Sequence, residues 1–278
     1  MTRREKYENV SATSVARAGA KRMYAATMQA ESKPNNTERY APPRDIHTVR
    51  LSDALKETHR FPNRRQLDFL GRSVTDDKDD TTIFYAGDLS LLNRPCVAIV
   101  GTRQVSDAGI ARTVRLAKGL VEAGVVVVSG LAYGVDAVAH RTAIDAGGRT
   151  ISVIGTPLDK ASPSENAVMQ EEIYRDHLLI SQFPIGQKTS RASFPLRNKL
   201  MATLSDATVV MEASDTSGTL HQAAECTRLG RWLFIARSVV DDPALTWPAK
   251  FLKYETCMPL DNVEQVIERV SAPSPSAG

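Results

Sequence analysis

From Cys96 onward, short continuous apolar runs alternate with longer segments whose apolar residues recur at helical spacing. "CVAIVG", "VVVVSG", "TISVIG", "LLISQF", "ATVVME" and "WLFIA" carry no polar alternation, which is the pattern of strands buried on both faces. "DAGIARTVRLAKGLVEAG", "VDAVAHRTAIDAGG", "SENAVMQEEIYRDH", "FPLRNKLMATLS" and "GTLHQAAECTRLG" lie between them and read as helices. Several of these helical stretches end at a glycine: Gly124, Gly147 and Gly230. The alternation predicts an α/β fold: a doubly wound, mostly parallel sheet with helices on both faces.

The flanks read differently. Residues 1–50 are polar, as in "ESKPNNTERYAPPRD", and are expected to form a flexible arm. Within it, "SATSVARAGAKRMYAATM" can form a short helix, whose Lys and Arg could touch nucleic acid. Residues 51–82 read as a helical lead-in over Leu51–Leu70 followed by an acidic turn, "DDKDD". "TTIFYAGD" reads as a short strand ending at Gly87, so the folded core is expected over residues 83–256. Residues 257–278 read as a short C-terminal helix and a disordered tail.

Composition narrows the function. A net charge of +3 and a pI near 8.7 permit a phosphate or nucleic-acid ligand without demanding one. The three cysteines, Cys96, Cys226 and Cys257, are far apart, which predicts reduced thiols and neither a disulfide framework nor a metal site. No apolar run is long enough for a membrane span, and "MTRREKYENV" lacks the apolar core of a secretory signal. A cytoplasmic protein with no membrane partner is expected. Neither G-x-G-x-x-G nor G-x-x-x-x-G-K-[ST] occurs at a strand end, so no cofactor is predicted.

In such a sheet, ligands sit outside the carboxyl ends of the strands, so the residues that follow each strand carry the candidate chemistry. After the first core strand, Gly101 permits a close turn and Arg103 offers a fork suited to phosphate, or simply a surface charge. Ser106 or Asp107 can cap the next helix. After the second, Ser129 and Gly130 open a loop at a helix N-terminus, a plausible anion cradle. Asp136 and His140 share one face of the helix that follows, and they are assigned to holding it rather than to a catalytic triad with Ser129. Phe194, Arg197, Asn198 and Lys199 cluster at another helix start, where an aromatic can stack on a base and polar groups can hold phosphate. Ser217, Gly218 and Thr219 form a second small-residue loop opening a helix. Together these residues predict a phosphate-lined groove and no catalytic residues.

The ordered motifs "VAIVGTR", "VVSGLAYGVDAVAH", "GGRTISVIGTPLD", "FPLRN" and "SDATVVMEASDTSGTLHQA" resemble the DNA processing protein A (DprA/Smf) family over roughly residues 83–252. The resemblance implies a Rossmann-like domain that binds single-stranded DNA, protects it in natural transformation and helps load the recombinase RecA. It also implies a homodimer. Carried onto this chain, it places Gly101, Arg103, Ser129, Gly130, Phe194, Arg197, Asn198, Lys199, Ser217, Gly218 and Thr219 in the strand-binding pocket. The chain departs from the family pattern at Ser162-Pro163, where Tyr-Pro is usual, and at Lys199, where Arg often stands.

Two other readings compete. A nucleotide hydrolase of the phosphoribohydrolase kind would carry an acidic pair where "TSGTLHQAAE" has His221 and Gln222, with Glu225 one turn further on. A nucleotide sensor in phage defence would use the same groove for a small signal.

Overall fold

The computed structural model describes residues 40–58, 60 and 80–271. The expected arm before Tyr40, most of the predicted 51–70 helix, the acidic run before Asp80 and the tail after Ser271 lie outside the described residues.

The strands are β1 (His47–Arg50), β2 (Thr82–Gly87), β3 (Cys96–Val100), β4 (Val126–Ser129), β5 (Thr150–Ile154), β6 (Leu178–Ser181), β7 (Ala207–Val210), β8 (Trp232–Ala236) and β9 (Cys257–Leu260). They form one sheet in the order β1-β2-β6-β5-β4-β3-β7-β8-β9. β1, β2 and β6 pair antiparallel, and every pairing from β6 to β9 is parallel. The apolar runs in β3, β4, β5, β6 and β7 are buried at every position, as continuous rather than alternating hydrophobicity requires.

The helices are α1 (Leu51–Leu55), α2 (Asp107–Glu122), α3 (Val135–Asp145), α4 (Ala167–Asp176), α5 (Ser193–Thr203), α6 (Thr219–Arg228), α7 (Arg237–Val240), α8 (Pro248–Phe251) and α9 (Glu264–Ser271). α2 packs beside α3, and α5 beside α6, with helices on both faces of the sheet. The chain starts its parallel sheet at β3, builds outward through β4, β5 and β6, then crosses over through α5 to β7 on the other side of β3. The strand order therefore reverses between β3 and β7, which opens a crevice at their carboxyl ends.

Two elements differ from the sequence reading. Residues 47–50, expected within the arm, form edge strand β1, and residues 257–260, expected to lead only into a helix, form edge strand β9. Each is four residues long; β1 is largely exposed and β9 carries Pro259. Such short edge strands, one polar and one proline-bearing, give little periodic signal. The lead-in is held by Arg60, which is buried and donates to Asp206 at 2.6 Å, to the Arg94 carbonyl at 3.1 Å and to the Leu92 carbonyl. The same Asp206 oxygen accepts the Cys96 N–H at 2.7 Å, so this pair ties the lead-in to the start of β3.

Candidate functional site

At the β3/β7 switch point lies a cavity of about 400 Å³, within the size range of small-ligand sites. Its walls are the β3–α2 loop (Gly101–Gln104), the α5 face and the β7–α6 loop with the first turn of α6. On α5, Phe194, Arg197, Asn198 and Met201 line it, and their i, i+3, i+4, i+7 spacing puts them on one helix face. Lys199 lies off that face and is exposed outside the cavity. Of the predicted residues, the structure brings Gly101, Arg103, Phe194, Arg197, Asn198, Ser217, Gly218 and Thr219 to this wall.

Ser129 and Gly130 are not on the wall. Ser129 is fully buried in the sheet, and its hydroxyl donates to the Ile99 carbonyl at 2.7 Å. Gly130 supports the floor from below. Its carbonyl accepts from Arg197 Nη1 at 2.5 Å, and the same nitrogen donates to the Val153 carbonyl at 2.9 Å. A Cβ on residue 130 would overlap the Arg197 guanidinium, so any side chain there would have to displace it from its two carbonyl acceptors. Arg197 is thus a buried cation in the cavity wall, tied from behind, rather than an exposed fork.

Asp136, which sequence reasoning gave only a helix-holding part, also reaches the cavity. Burial pushes its carboxyl above the usual range, while the Arg197 guanidinium and the Ala132 N–H pull against that rise. Burial likewise works against the charge on Arg197. The loop expected to cradle an external anion therefore holds this internal carboxylate. His140 is fully buried, with Nδ1 2.7 Å from Thr150 Oγ1, whose own hydroxyl donates to the Val127 carbonyl at 2.8 Å. Nδ1 is therefore the protonated nitrogen. Ser129 and His140 thus each have structural partners, in line with the helix-holding reading.

The α2 N-terminus is filled in the same way. Ser106 caps it, accepting the Gly109 N–H at 3.0 Å. The Glu212 carboxylate takes the Ser106 N–H at 3.0 Å and the Ser106 hydroxyl at 2.5 Å, and it pairs with Arg112 at 2.7 Å. Sequence reasoning missed Glu212, which follows Met211 directly after β7 and shows no spacing signal.

The third helix N-terminus on the crevice, that of α6, has no acidic residue in its first turn and no side-chain cap on Gly218. Its loop is held from three sides. Asn198 donates to the Gly218 carbonyl at 3.2 Å, and the Thr219 hydroxyl donates to the Gly101 carbonyl at 3.2 Å. Asp215 accepts the N–H groups of Thr246 at 3.0 Å and Trp247 at 2.9 Å, and the Trp247 indole donates to the Ala213 carbonyl at 3.0 Å. Ser217 closes the start of the helix from within the loop, its hydroxyl accepting the Thr219 N–H at 3.2 Å and its carbonyl the Leu220 N–H at 3.1 Å, and the positive end of the helix dipole lies at the cavity wall.

Arg103 stands exposed at the mouth, 5.9 Å over the Phe194 ring, and has no carboxylate partner among the described residues. Phe194 lies against Gly155, where a Cβ would press on the ring. The mouth therefore offers an exposed cation, an aromatic ring and the positive end of the α6 dipole. At the position of an acidic catalytic pair, His221 is exposed, Gln222 lines the cavity, and Glu225 is engaged by Arg228 at 2.5 and 3.0 Å. Among the described residues no three His, Cys, Asp or Glu side chains gather as a metal site, and no helix is long and apolar enough to cross a membrane.

A family model described as DNA recombination-mediator protein A matches residues 58–271. DNA processing protein DprA of Streptococcus pneumoniae is 38% identical over 189 residues, covering 67% of this chain and 67% of that protein. Protein Smf of Synechocystis is 43% identical over 140 residues, covering 50% of this chain and 35% of that protein. The chain thus spans between about a third and two thirds of the length of these curated relatives. The X-ray structure of DprA from Streptococcus pneumoniae matches with a TM-score of 0.65 and 31% identity, over 81% of this chain and 74% of that one. A structure of DNA processing protein A from Helicobacter pylori, described for its unique single-stranded DNA binding mode, matches with a TM-score of 0.64 and 25% identity, over 82% of this chain and 96% of that one.

Proposed function

Because the chain belongs to the DNA recombination-mediator protein A (DprA/Smf) family, we propose that the β3/β7 crevice binds single-stranded DNA. The observation that carries this reading is the placement of exposed Arg103 over the Phe194 face, beside the α6 N-terminus. A phosphate gains from the cation and the helix dipole, and an unpaired base gains from the ring. Two neighbouring anion positions are already filled by Glu212 and Asp136, which directs a backbone phosphate to the Ser217–Gly218–Thr219 loop. In this reading Arg197 forms part of the wall, tied from behind, and Asn198 sets the loop.

Binding of a mononucleotide and of oligonucleotides of increasing length, compared at one salt concentration, tests the proposal. Affinity should rise with length and fall with salt, with a log–log slope of roughly −0.7 per phosphate contact. Tight mononucleotide binding with no gain from length would favour a nucleotide sensor instead. Release of free base from nucleoside monophosphates would favour a hydrolase, but Gln222 and the Arg228-bound Glu225 leave that chemistry without the expected carboxylate pair.

Family membership also supports a finer reading: the protein acts as a homodimer that protects the strand and assists assembly of the recombinase RecA on it. Light scattering tests the dimer. Faster RecA assembly on a labelled oligonucleotide in the protein's presence tests the loading role.

A further inference from the structure

Tyr133 stands in the β4–α3 loop beside the crevice and is 38% exposed, which makes it one of the few large apolar side chains left facing solvent among the described residues. Its loop is rigid. Gly134 has φ 74°, and a Cβ there would strike the Thr102 and Arg103 carbonyls, so the two loops are in direct backbone contact. Val135 N–H donates to the Thr102 carbonyl at 3.2 Å. From the other side, Asn166 donates to the Leu131 carbonyl at 2.9 Å. Its neighbour Glu165 lies near enough to the Tyr133 hydroxyl to raise Tyr133, and to be lowered itself, from their usual pKa ranges. The Arg103 guanidinium is close enough to act on Tyr133 as well.

Tyr133 therefore displays its ring from a loop fastened to the one that carries Arg103, the exposed cation that also covers Phe194. The ligand group this position accepts can be read from its charge. The exposed Glu165 carboxylate nearby repels a phosphate, so what meets the ring is neutral and flat. A ring held in place before binding loses little conformational freedom on stacking.

We propose that Tyr133 is a second base-stacking platform, taking an unpaired nucleobase on the far side of Arg103 from Phe194. The inference rests on the single-stranded DNA reading of the crevice. It assigns bases to the two aromatic faces and the intervening phosphate to Arg103.

Fluorescence anisotropy with a base-bearing oligonucleotide and with an abasic oligonucleotide of equal length tests it. Tyr133→Ala should weaken binding of the base-bearing strand about tenfold, the scale of one lost stacking contact. It should leave the abasic strand and the salt slope unchanged, because no phosphate contact is removed. Tyr133→Phe, which keeps the ring, should stay within about twofold of the unsubstituted protein. Unchanged binding in Tyr133→Ala, or an equal loss on both strands, would overturn the platform. Failure of the unsubstituted protein to bind either strand would instead overturn the single-stranded DNA reading itself.

Discussion

Arg197 Nη1 donates to the Gly130 carbonyl at 2.5 Å, so a buried cation on the crossover helix is fastened to the loop after β4. The bond joins the two sides of the crevice floor and puts the guanidinium where a side chain at position 130 would lie. Gly130→Ala should displace the guanidinium and lower stability by roughly 1–3 kcal/mol, the usual cost of overpacking. Chemical denaturation checks this, and the cavity should lose ligand affinity in the same variant.

Arg103 and Arg197 should respond differently to removal. Arg103 is exposed, so Arg103→Ala should leave the melting temperature nearly unchanged. It should weaken oligonucleotide binding about tenfold and flatten the salt slope by about 0.7. Arg197→Ala should first cost stability, because it leaves Asp136 without its cation and two buried carbonyls without a donor. Parallel melting curves and salt titrations separate the two outcomes.

Breaking the Arg60–Asp206 pair should be among the most damaging changes outside the crevice. Asp206→Ala strands a buried guanidinium and frees the Cys96 N–H. A loss of roughly 3–5 kcal/mol is expected on removing one partner of a buried ion pair, and urea unfolding checks it. DNA binding by the fraction that remains folded should be unaltered.

His140 should contribute to acid sensitivity. Burial lowers its pKa to about 3, and the nearby His177 adds to the shift. The folded state keeps it neutral, whereas the unfolded chain takes up a proton below its ordinary value near 6.5. Its stabilising effect is thus present above that value and is lost as pH falls toward 3, by roughly 1 kcal/mol per pH unit. Burial raises Asp136 instead, a contribution that favours the folded state at low pH and fades as pH rises through the raised value. Comparing pH-dependent unfolding of the unsubstituted protein and His140→Gln checks the histidine share: the variant should lose less stability between pH 7 and 4.

The sequence by itself determined the alternation of buried strands and helices, because a two-face-buried strand must be apolar along its whole length, as in "CVAIV" and "VVVS". It also pointed to the loops after β3 and β7 and to the start of α5 as neighbours of one crevice, though it grouped Lys199 with Phe194, Arg197 and Asn198, and only the structure showed that Met201 takes the fourth place on that helix face. Only the tertiary structure decided what each charged group does there. Arg103 and Arg197 look alike in one dimension, yet one is exposed at the mouth and the other is buried in the cavity wall, because burial depends on what packs around a residue. Glu212 and Asp136 occupy two helix N-termini from positions distant in the chain or hidden on a helix, whereas the first turn of α6 carries no acidic residue. The edge strands β1 and β9 likewise waited for the structure, since a short strand on the rim is specified by its neighbour's free hydrogen-bonding groups more than by its own residues. The stretch "SGLAYGVDAVAH" shows the division most plainly. Its pattern announced a loop at a helix start, whereas its three-dimensional setting turned Ser129 and Gly130 into supports and Tyr133 into the exposed surface.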